Sequence, residues 1–412
     1  MQSDAKGKKA AIATPAQLIE AVLESWCSHS SGEISARMLA GKAGIATSAI
    51  YYHFENLEQL YQAAQVKSLG DARHWCEAQI QTFLAIKRNG LLSRSAFGSL
   101  LAAIIDDLCT VQRQAAFAWR ECQLLAARRP GFAPLLAEWD SLFRRLCKEL
   151  CAVVGLGHAS ALTFYFFESE SLFHLIRWNR LLDRAALDEI ASGWASSIQG
   201  KPPLHAPIRV HLWKRAQEAL PVATARTHES IARAAAKLLI EQGVSGITHR
   251  AVAAEAGLTL GVVAHQCHRA ADLLEQAYGA IYLQLTGNRL EEARNTPPDQ
   301  ALGVPSLLQM LAIQELVLAV ARGRTDAAFA TSLRYLRGTT SSHTVEGRLG
   351  LKGENSVLVA TILSNTMIGL LRNAGETDRQ AAVIAAEAEL FRMMADDSGG
   401  SDREPKPASG ER

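Results

Sequence analysis

Two stretches of this 412-residue chain share one layout at a fixed separation, and nothing else in the sequence constrains the fold as tightly. The first runs Ser35-Ala-Arg-Met-Leu-Ala-Gly-Lys-Ala-Gly-Ile-Ala-Thr-Ser-Ala-Ile-Tyr-Tyr-His-Phe54. The second runs Thr248-His-Arg-Ala-Val-Ala-Ala-Glu-Ala-Gly-Leu-Thr-Leu-Gly-Val-Val-Ala-His-Gln-Cys267. Ser35 answers to Thr248, Arg37 to Arg250, Ala40 to Ala253 and Gly44 to Gly257, each pair 213 positions apart (257 less 44). The register extends without a gap to Thr14 and Thr227 upstream and to Leu60 and Leu273 downstream. A gapless correspondence of this length points to a chain built from two copies of one unit.

Each stretch spells two short helices about a glycine corner. Ser35 is a good N-cap for a helix whose inward face is Leu39, Ala40 and Ala43. Gly44 supplies the corner, because a tight helix-to-helix turn needs a residue that tolerates positive φ. Ile45 plugs that corner, and Thr47 is expected to cap a second helix running through Ile50 to Phe54. Two helices joined in this way form a helix-turn-helix, whose second member can enter the major groove of DNA. Upstream, Thr14-Pro15 starts a bracing helix with Leu18, Ile19, Val22, Leu23 and Trp26 on one face. Downstream, another helix is expected from Asn56 to about Gln81.

With its ending Tyr51-Tyr52-His53-Phe54 followed by Glu58 and Leu60, the first stretch resembles the TetR family of one-component bacterial regulators. The resemblance implies an all-α chain of two TetR-like units in tandem, each a helix-turn-helix domain plus a helical ligand and dimerisation domain. It also implies double-stranded DNA, an operator, as partner, and a partly apolar small-molecule effector that changes the spacing of the reading heads. The expected organisation is a flexible arm over 1–13, a helix-turn-helix domain over 14–62 and a helical domain over 63–199. A linker over 200–221 follows, opened by the proline-rich Gly200–Pro207. A divergent helix-turn-helix domain over 222–275, a second helical domain over 276–396 and a disordered Ser/Gly/Pro-rich tail over 397–412 complete the chain.

Candidate DNA contacts in the first unit are Ser35, Arg37, Lys42, Thr47, Ser48, Tyr51, Tyr52 and His53. In the second they are Thr248, His249, Arg250, Thr259, His265 and Gln266. Where the first unit has Tyr51, Tyr52, His53 and Phe54, the second has Ala264, His265, Gln266 and Cys267, so an asymmetric operator is expected. Family members pair through their helical domains. Two such units in one chain fold as a pseudo-dimer, each unit's last two helices on the other's, or two chains form a homodimer offering four motifs. The pseudo-dimer satisfies the interface within one chain and is preferred. Among the aromatics of the first half, Trp119, Phe143 and Phe167, with the polar Glu170 and His174, are the candidate ligand pocket. The second half is poor in aromatics and is expected to be mainly structural.

Beyond these motifs, ten further helices are expected over 93–111, 114–128, 132–154, 159–182, 184–198, 208–220, 305–322, 326–337, 355–373 and 378–394. A helix is also expected from Leu273 to Arg294, and a mobile loop over Arg337–Gly353. Hydrophobic content of 48% with 20% charge suits a soluble globular protein with sizeable cores. No secretory signal is evident, and the uncharged run Asn355–Leu371 is too short and too polar for a bilayer, so a cytoplasmic protein without a membrane partner is expected. Seven cysteines at irregular spacing argue against a disulfide framework. Cys147 and Cys151, one helical turn apart, read as core residues without zinc-finger companions, so neither metal nor cofactor is expected. A net charge of +2 excludes a broad nucleic-acid-coating surface but not a specific reader, which needs only a local patch. No phosphate loop, nucleophile elbow, HExxH or paired-cysteine motif is present, which argues against an enzyme. The remaining alternative is an interaction or dimerisation partner that has lost DNA binding in one or both motifs.

Overall fold

The computed structural model describes residues 14–90, 92–202, 204–218, 226–281, 305–324, 327–339, 341–374 and 379–395. The expected arm, the expected tail and the end of the helix expected to reach Arg294 lie outside them. The described residues are all-helical, without a strand. In the first half, α1 (Pro15–Trp26), α2 (Ala36–Ala43), α3 (Thr47–His53) and α4 (Leu57–Arg88) lead into α5 (Phe97–Thr110), α6 (Arg113–Ala126), α7 (Ala133–Val153), α8 (Ser160–His174) and α9 (Arg180–Ser197). After α10 (Pro207–Glu218), the second half begins with α11 (Arg226–Gln242), α12 (His249–Ala256), α13 (Leu260–Gln266) and α14 (270–281). It continues with α15 (Leu307–Ala321), α16 (Ala327–Tyr335), α17 (Ser342–Leu349), α18 (Glu354–Asn373) and α19 (Arg379–Ala395).

Local chemistry sets most of these boundaries. Pro15 opens α1, where its missing N–H costs nothing, and the Gln17 side chain accepts the Thr14 N–H at 2.9 Å. Asn56 caps α4 by accepting the Gln59 N–H at 2.9 Å. The helix expected over 159–182 instead ends at His174. Asp183 accepts the N–H groups of both Trp178 and Asn179, and Asn179 in turn caps α9. These bonds serve backbone groups that a continuous helix would have paired internally.

One stretch expected to be a loop carries a helix, and the linker holds the helix expected within it. Arg337–Gly353 contains α17, which buries Val345 completely and stops at Gly350 in the left-handed region (φ 67°). The 200–221 stretch contains α10, anchored by a fully buried Arg209. That guanidinium donates to the carbonyls of Tyr335 and Arg337 and to the Thr361 hydroxyl.

One continuous hydrophobic cluster runs through both halves. Its tightest seam is between α8 and α18. A Cβ on Gly369 would lie 2.0 Å from the Tyr165 carbonyl oxygen, so the two backbones touch where a side chain would stand. Gly193 on α9 makes a similar notch for Leu358 and Ile362 of α18. Helix α18 is the one single helix among the described residues long and apolar enough to cross a membrane. The protein core already buries 78% of its most apolar window.

Two helices beyond α14 start 194 positions after helices of the first half. Helix α15 starts 194 positions after α6 (307 less 113), and α18 starts 194 after α8 (354 less 160). Gly369→Ala must force α8 and α18 apart and should destabilise the chain by about 3 kcal/mol or more in urea unfolding. Gly347→Ala, in α17 with nothing within 4 Å of its added Cβ, should be neutral or mildly stabilising.

Candidate nucleic-acid interface

The first helix-turn-helix is built by the expected caps, with one shift. Ser35 accepts the Met38 N–H at 3.2 Å, Gly44 closes α2 at φ +70°, and the Ile45 N–H reaches back to the Ala40 carbonyl at 2.9 Å. Thr47 does not cap α3. Ala46 occupies the cap position and Thr47 is the first helical residue, because the corner closes one residue earlier than expected. Leu39, Ala40 and Ile50 are buried, which turns the opposite side of α3 outward. Thr47 and Ser48 are exposed there, with Tyr51 55% and Tyr52 81% accessible. Phe54 points inward. Ser35 and Arg37 are exposed on α2 and its cap, while Lys42 pairs with Glu24 at 3.1 Å. His53 is half-buried, its ring edge-on to Tyr52.

Helices α12 and α13 have the same lengths as α2 and α3 and stand 213 positions later at both ends. Gly257 closes α12 at φ +66°, and the Leu258 N–H returns to Ala253 at 2.9 Å. Thr248 and Thr259 are both side-chain caps, accepting from Ala251 and Val262. Arg250 and His265 are exposed and Gln266 half-buried. His249 bonds the Cys267 carbonyl at 2.7 Å, so its ring ties α12 to the end of α13. The outward face of α13 carries exposed Leu260 and Val262.

Two buried acids hold the loops just ahead of α2 and α12. Glu121 on α6 accepts the Ser31 N–H at 3.0 Å and the Ser31 hydroxyl at 2.6 Å. Glu315 on α15 accepts the Val244 N–H at 2.6 Å. Each acid takes its counter-charge from the other half: Arg322 pairs with Glu121, and Arg128 pairs with Glu315. Ser31 and Val244 are 213 apart, while Glu121 and Glu315, like Arg128 and Arg322, are 194 apart. The same interaction is therefore made twice, crosswise. Arg322 also donates to the Trp26 carbonyl at 3.1 Å, and Arg324 pairs with Glu33 at 3.0 Å. The two loops meet, since a Cβ on Gly32 would lie 3.6 Å from the Ser245 hydroxyl. Sequence reasoning missed this arrangement, although a glutamate seven residues ahead of an arginine occurs at both 121/128 and 315/322.

The five candidate pocket residues pack as core. Trp119, Phe143 and Phe167 are fully buried, with ring centroids 4.3 to 6.3 Å apart. Glu170 meets Arg337 at 2.8 Å and the Asn365 amide. Burial pushes its carboxyl up, but Arg337 and Arg334 outweigh that and hold it below the usual carboxylate range. His174 accepts from Arg334 at Nδ1, so Nε2 carries the proton donated to Asp106 at 2.8 Å. Burial first, then Arg334, lowers the His174 pKa, which keeps the imidazole neutral. Beside them Glu168 joins Arg120 of its own half to Arg372 of the other. Cys147 and Cys151 are buried, and burial drives the Cys151 thiol up to about 11.

A cavity of about 260 Å³ lies elsewhere, between the two helix-turn-helix units, and none of these five residues lines it. No protein-family model and no curated protein sequence matches the chain.

Arg322→Ala strands Glu121 in a site that water scarcely reaches and should cost about 3–5 kcal/mol in denaturant unfolding. Arg128 is half exposed, and burial already raises the pKa of Glu315, so Arg128→Ala should cost less than Arg322→Ala in the same measurement. Asp140 responds to pH in the unusual direction for a carboxylate. Burial above all, with Glu168 nearby, lifts its pKa from 3.8 to about 6. The folded state thus holds the proton more tightly than the unfolded one, and stability falls as pH rises from about 4 through 6. Asp140→Asn should remove that fall and stabilise the chain at neutral pH by about 1–3 kcal/mol, read from urea unfolding at pH 4 and pH 7.5.

Proposed function

We propose that this chain is a ligand-responsive, DNA-binding transcriptional regulator of the TetR kind, a repressor acting in the cytoplasm as a covalent pseudo-dimer on an asymmetric operator. The observation that carries the reading is the outward face of α3. Two large aromatic hydroxyls, Tyr51 and Tyr52, stand in solvent at the end of a helix that is anchored on its other side by the buried Ile50. Soluble proteins seldom leave two adjacent tyrosines so exposed without a partner, and phosphates and base edges accept the bonds that such hydroxyls donate. Thr47, Ser48 and Arg37 surround them on the exposed side.

The pseudo-dimer is supported by the packing of α8 and α9 on α18, and of α9 on α19, within one core. It is supported again by the crosswise Glu121–Arg322 and Glu315–Arg128 pairs, which hold both helix-turn-helix units on one scaffold. The asymmetric operator follows from α13, which offers His265 and Gln266 where α3 offers Tyr52 and His53. One feature favours a second reading for that unit. Leu260 and Val262 leave an apolar edge on α13 that suits a protein partner better than a DNA groove.

Mobility shift with the DNA upstream of the chain's own gene, and genome-wide capture, should give salt-sensitive binding at one site of two unlike halves. No binding in either assay would sink the regulator reading. A symmetric palindrome covered by two chains would reject the pseudo-dimer. Tyr51→Ala with Tyr52→Ala should weaken the shift by about tenfold to a hundredfold without lowering stability, since neither ring is buried. An unchanged shift would mean that α3 is not the reader. If α13 serves a protein partner, the footprint should cover only the half-site under α3.

A further inference from the structure

Around the cavity between the two helix-turn-helix units, the units differ at several packed positions. In the first unit, Tyr61 on α4 fills the space under the loop before α2. It is 2% exposed, packs tilted against Trp26, and directs its hydroxyl at the Ser31 and Ile34 carbonyls, 3.3 and 3.4 Å away. Moving 213 positions along, Tyr61 becomes Leu274 and Trp26 becomes Leu239, while Leu57 and Glu58 become Ala270 and Ala271. Leu274, Ala270 and Ala271 all line the cavity, as do Val244 and Ile247, the counterparts of Ser31 and Ile34. The space therefore adjoins the place that Tyr61 fills in the first unit, bordered by the residues whose counterparts receive its hydroxyl.

We propose that this cavity binds one small, uncharged phenol or aromatic alcohol, its ring beside Leu274 and its hydroxyl donating to the carbonyl of Val244 or of Ile247. About 260 Å³ is ample for a substituted benzene ring, given that apolar cavities of ~150 Å³ take up benzene. The charges around the site select against ions. Glu33, Glu315, Arg322 and Arg324 line it with no net charge, and each is already paired, with Arg324, Arg128, Glu121 and Glu33 respectively. A charged ligand would have to break one of those pairs or enter unpaired. An occupant touches the loops of both helix-turn-helix units and the two crosswise pairs at once. That gives it differential affinity for arrangements of the reading heads, which is what an effector requires. This regulatory consequence rests on the proposed DNA binding; occupancy of the cavity does not.

The probe is 4-methylphenol, which is the tyrosine side chain itself, titrated calorimetrically into the full chain without DNA. One site per chain is expected, saturating below about 10 mM. Leu274→Tyr restores the first unit's filling and should weaken binding by at least about tenfold while the unfolding temperature holds or rises. Should that variant fold poorly, Ala270→Leu on the exposed rim decides the matter, with an expected loss of about threefold or more. 4-Methylbenzoate should bind about tenfold more weakly than the phenol. No binding of 4-methylphenol up to about 10 mM, equal affinity in the rim and filled variants, or equal binding of the benzoate would each overturn the site. A mobility shift repeated with 4-methylphenol reports separately: binding without any change in the shift overturns the effector role. Absence of any shift speaks against DNA binding while leaving the titration to decide the site.

Discussion

Buried carboxylates that take their counter-charges from the opposite half hold this molecule in register. Glu168 sits between Arg120 and Arg372, Glu170 against Arg337, Asp183 against Arg334 and Glu121 against Arg322, all nearly sealed from water. Burial alone would push Glu168 toward its neutral form, but Arg372 and Arg120 together hold it ionised. Such pairs add little net stability, since desolvating two charges consumes most of what their attraction returns. Their effect is directional. Apolar burial is indifferent to a small slide of α8 along α18, whereas a buried carboxylate that loses its arginine costs several kcal/mol. The hydrophobic seam brings the halves together and the ion pairs fix where they stop.

The same logic carries out to the two helix-turn-helix units. A helix-turn-helix of about forty residues has little core of its own, so its orientation depends on what it leans against. Here each leans on a glutamate from the helical body, through a backbone N–H just ahead of α2 or α12. That glutamate is neutralised from the other half. Moving either head relative to the body therefore disturbs a group shared with the opposite half, which couples the two heads by electrostatics and not by contact alone.

The helix-turn-helix units were legible in the sequence because everything that defines them is local. Ser35 and Thr248 bond three residues ahead, and Gly44 and Gly257 take the one backbone conformation that other residues avoid. Only the start of α3 slipped, where Thr47 looked the better cap and Ala46 holds the position. The body was legible as helices but not as an interface. Arg337 and Glu170 lie 167 residues apart, and Arg372 and Glu168 lie 204 apart. In the sequence each looks like one more charge on a helix face, and charged faces are usually solvated. Arg337–Gly353 was misread for a related reason. Its Gly, Ser and Thr content suggests a loop, yet Thr339 and Ser342 bond neighbouring carbonyls at the start of α17 and Val345 gives that helix something to bury. Trp119, Phe143 and Phe167 raised the opposite problem, since aromatics around a space and aromatics filling one share a composition and differ only in geometry.

The divergence between the two halves is not spread evenly. The caps of α2 and α12, the corner glycines and the acid that holds each head have counterparts in both units, while α13 alone of the two second helices has a side-chain cap. What differs is the outward face of the second helix and the packing beneath the head, where Trp26 and Tyr61 stand against Leu239 and Leu274. A tyrosine bonded to two carbonyls stiffens the first head, because it joins α4 to the loop at both ends. The second head has leucine there, which cannot make those bonds, and an open space beside it. One scaffold thus carries two units that share their corner geometry and differ in the packing beneath them.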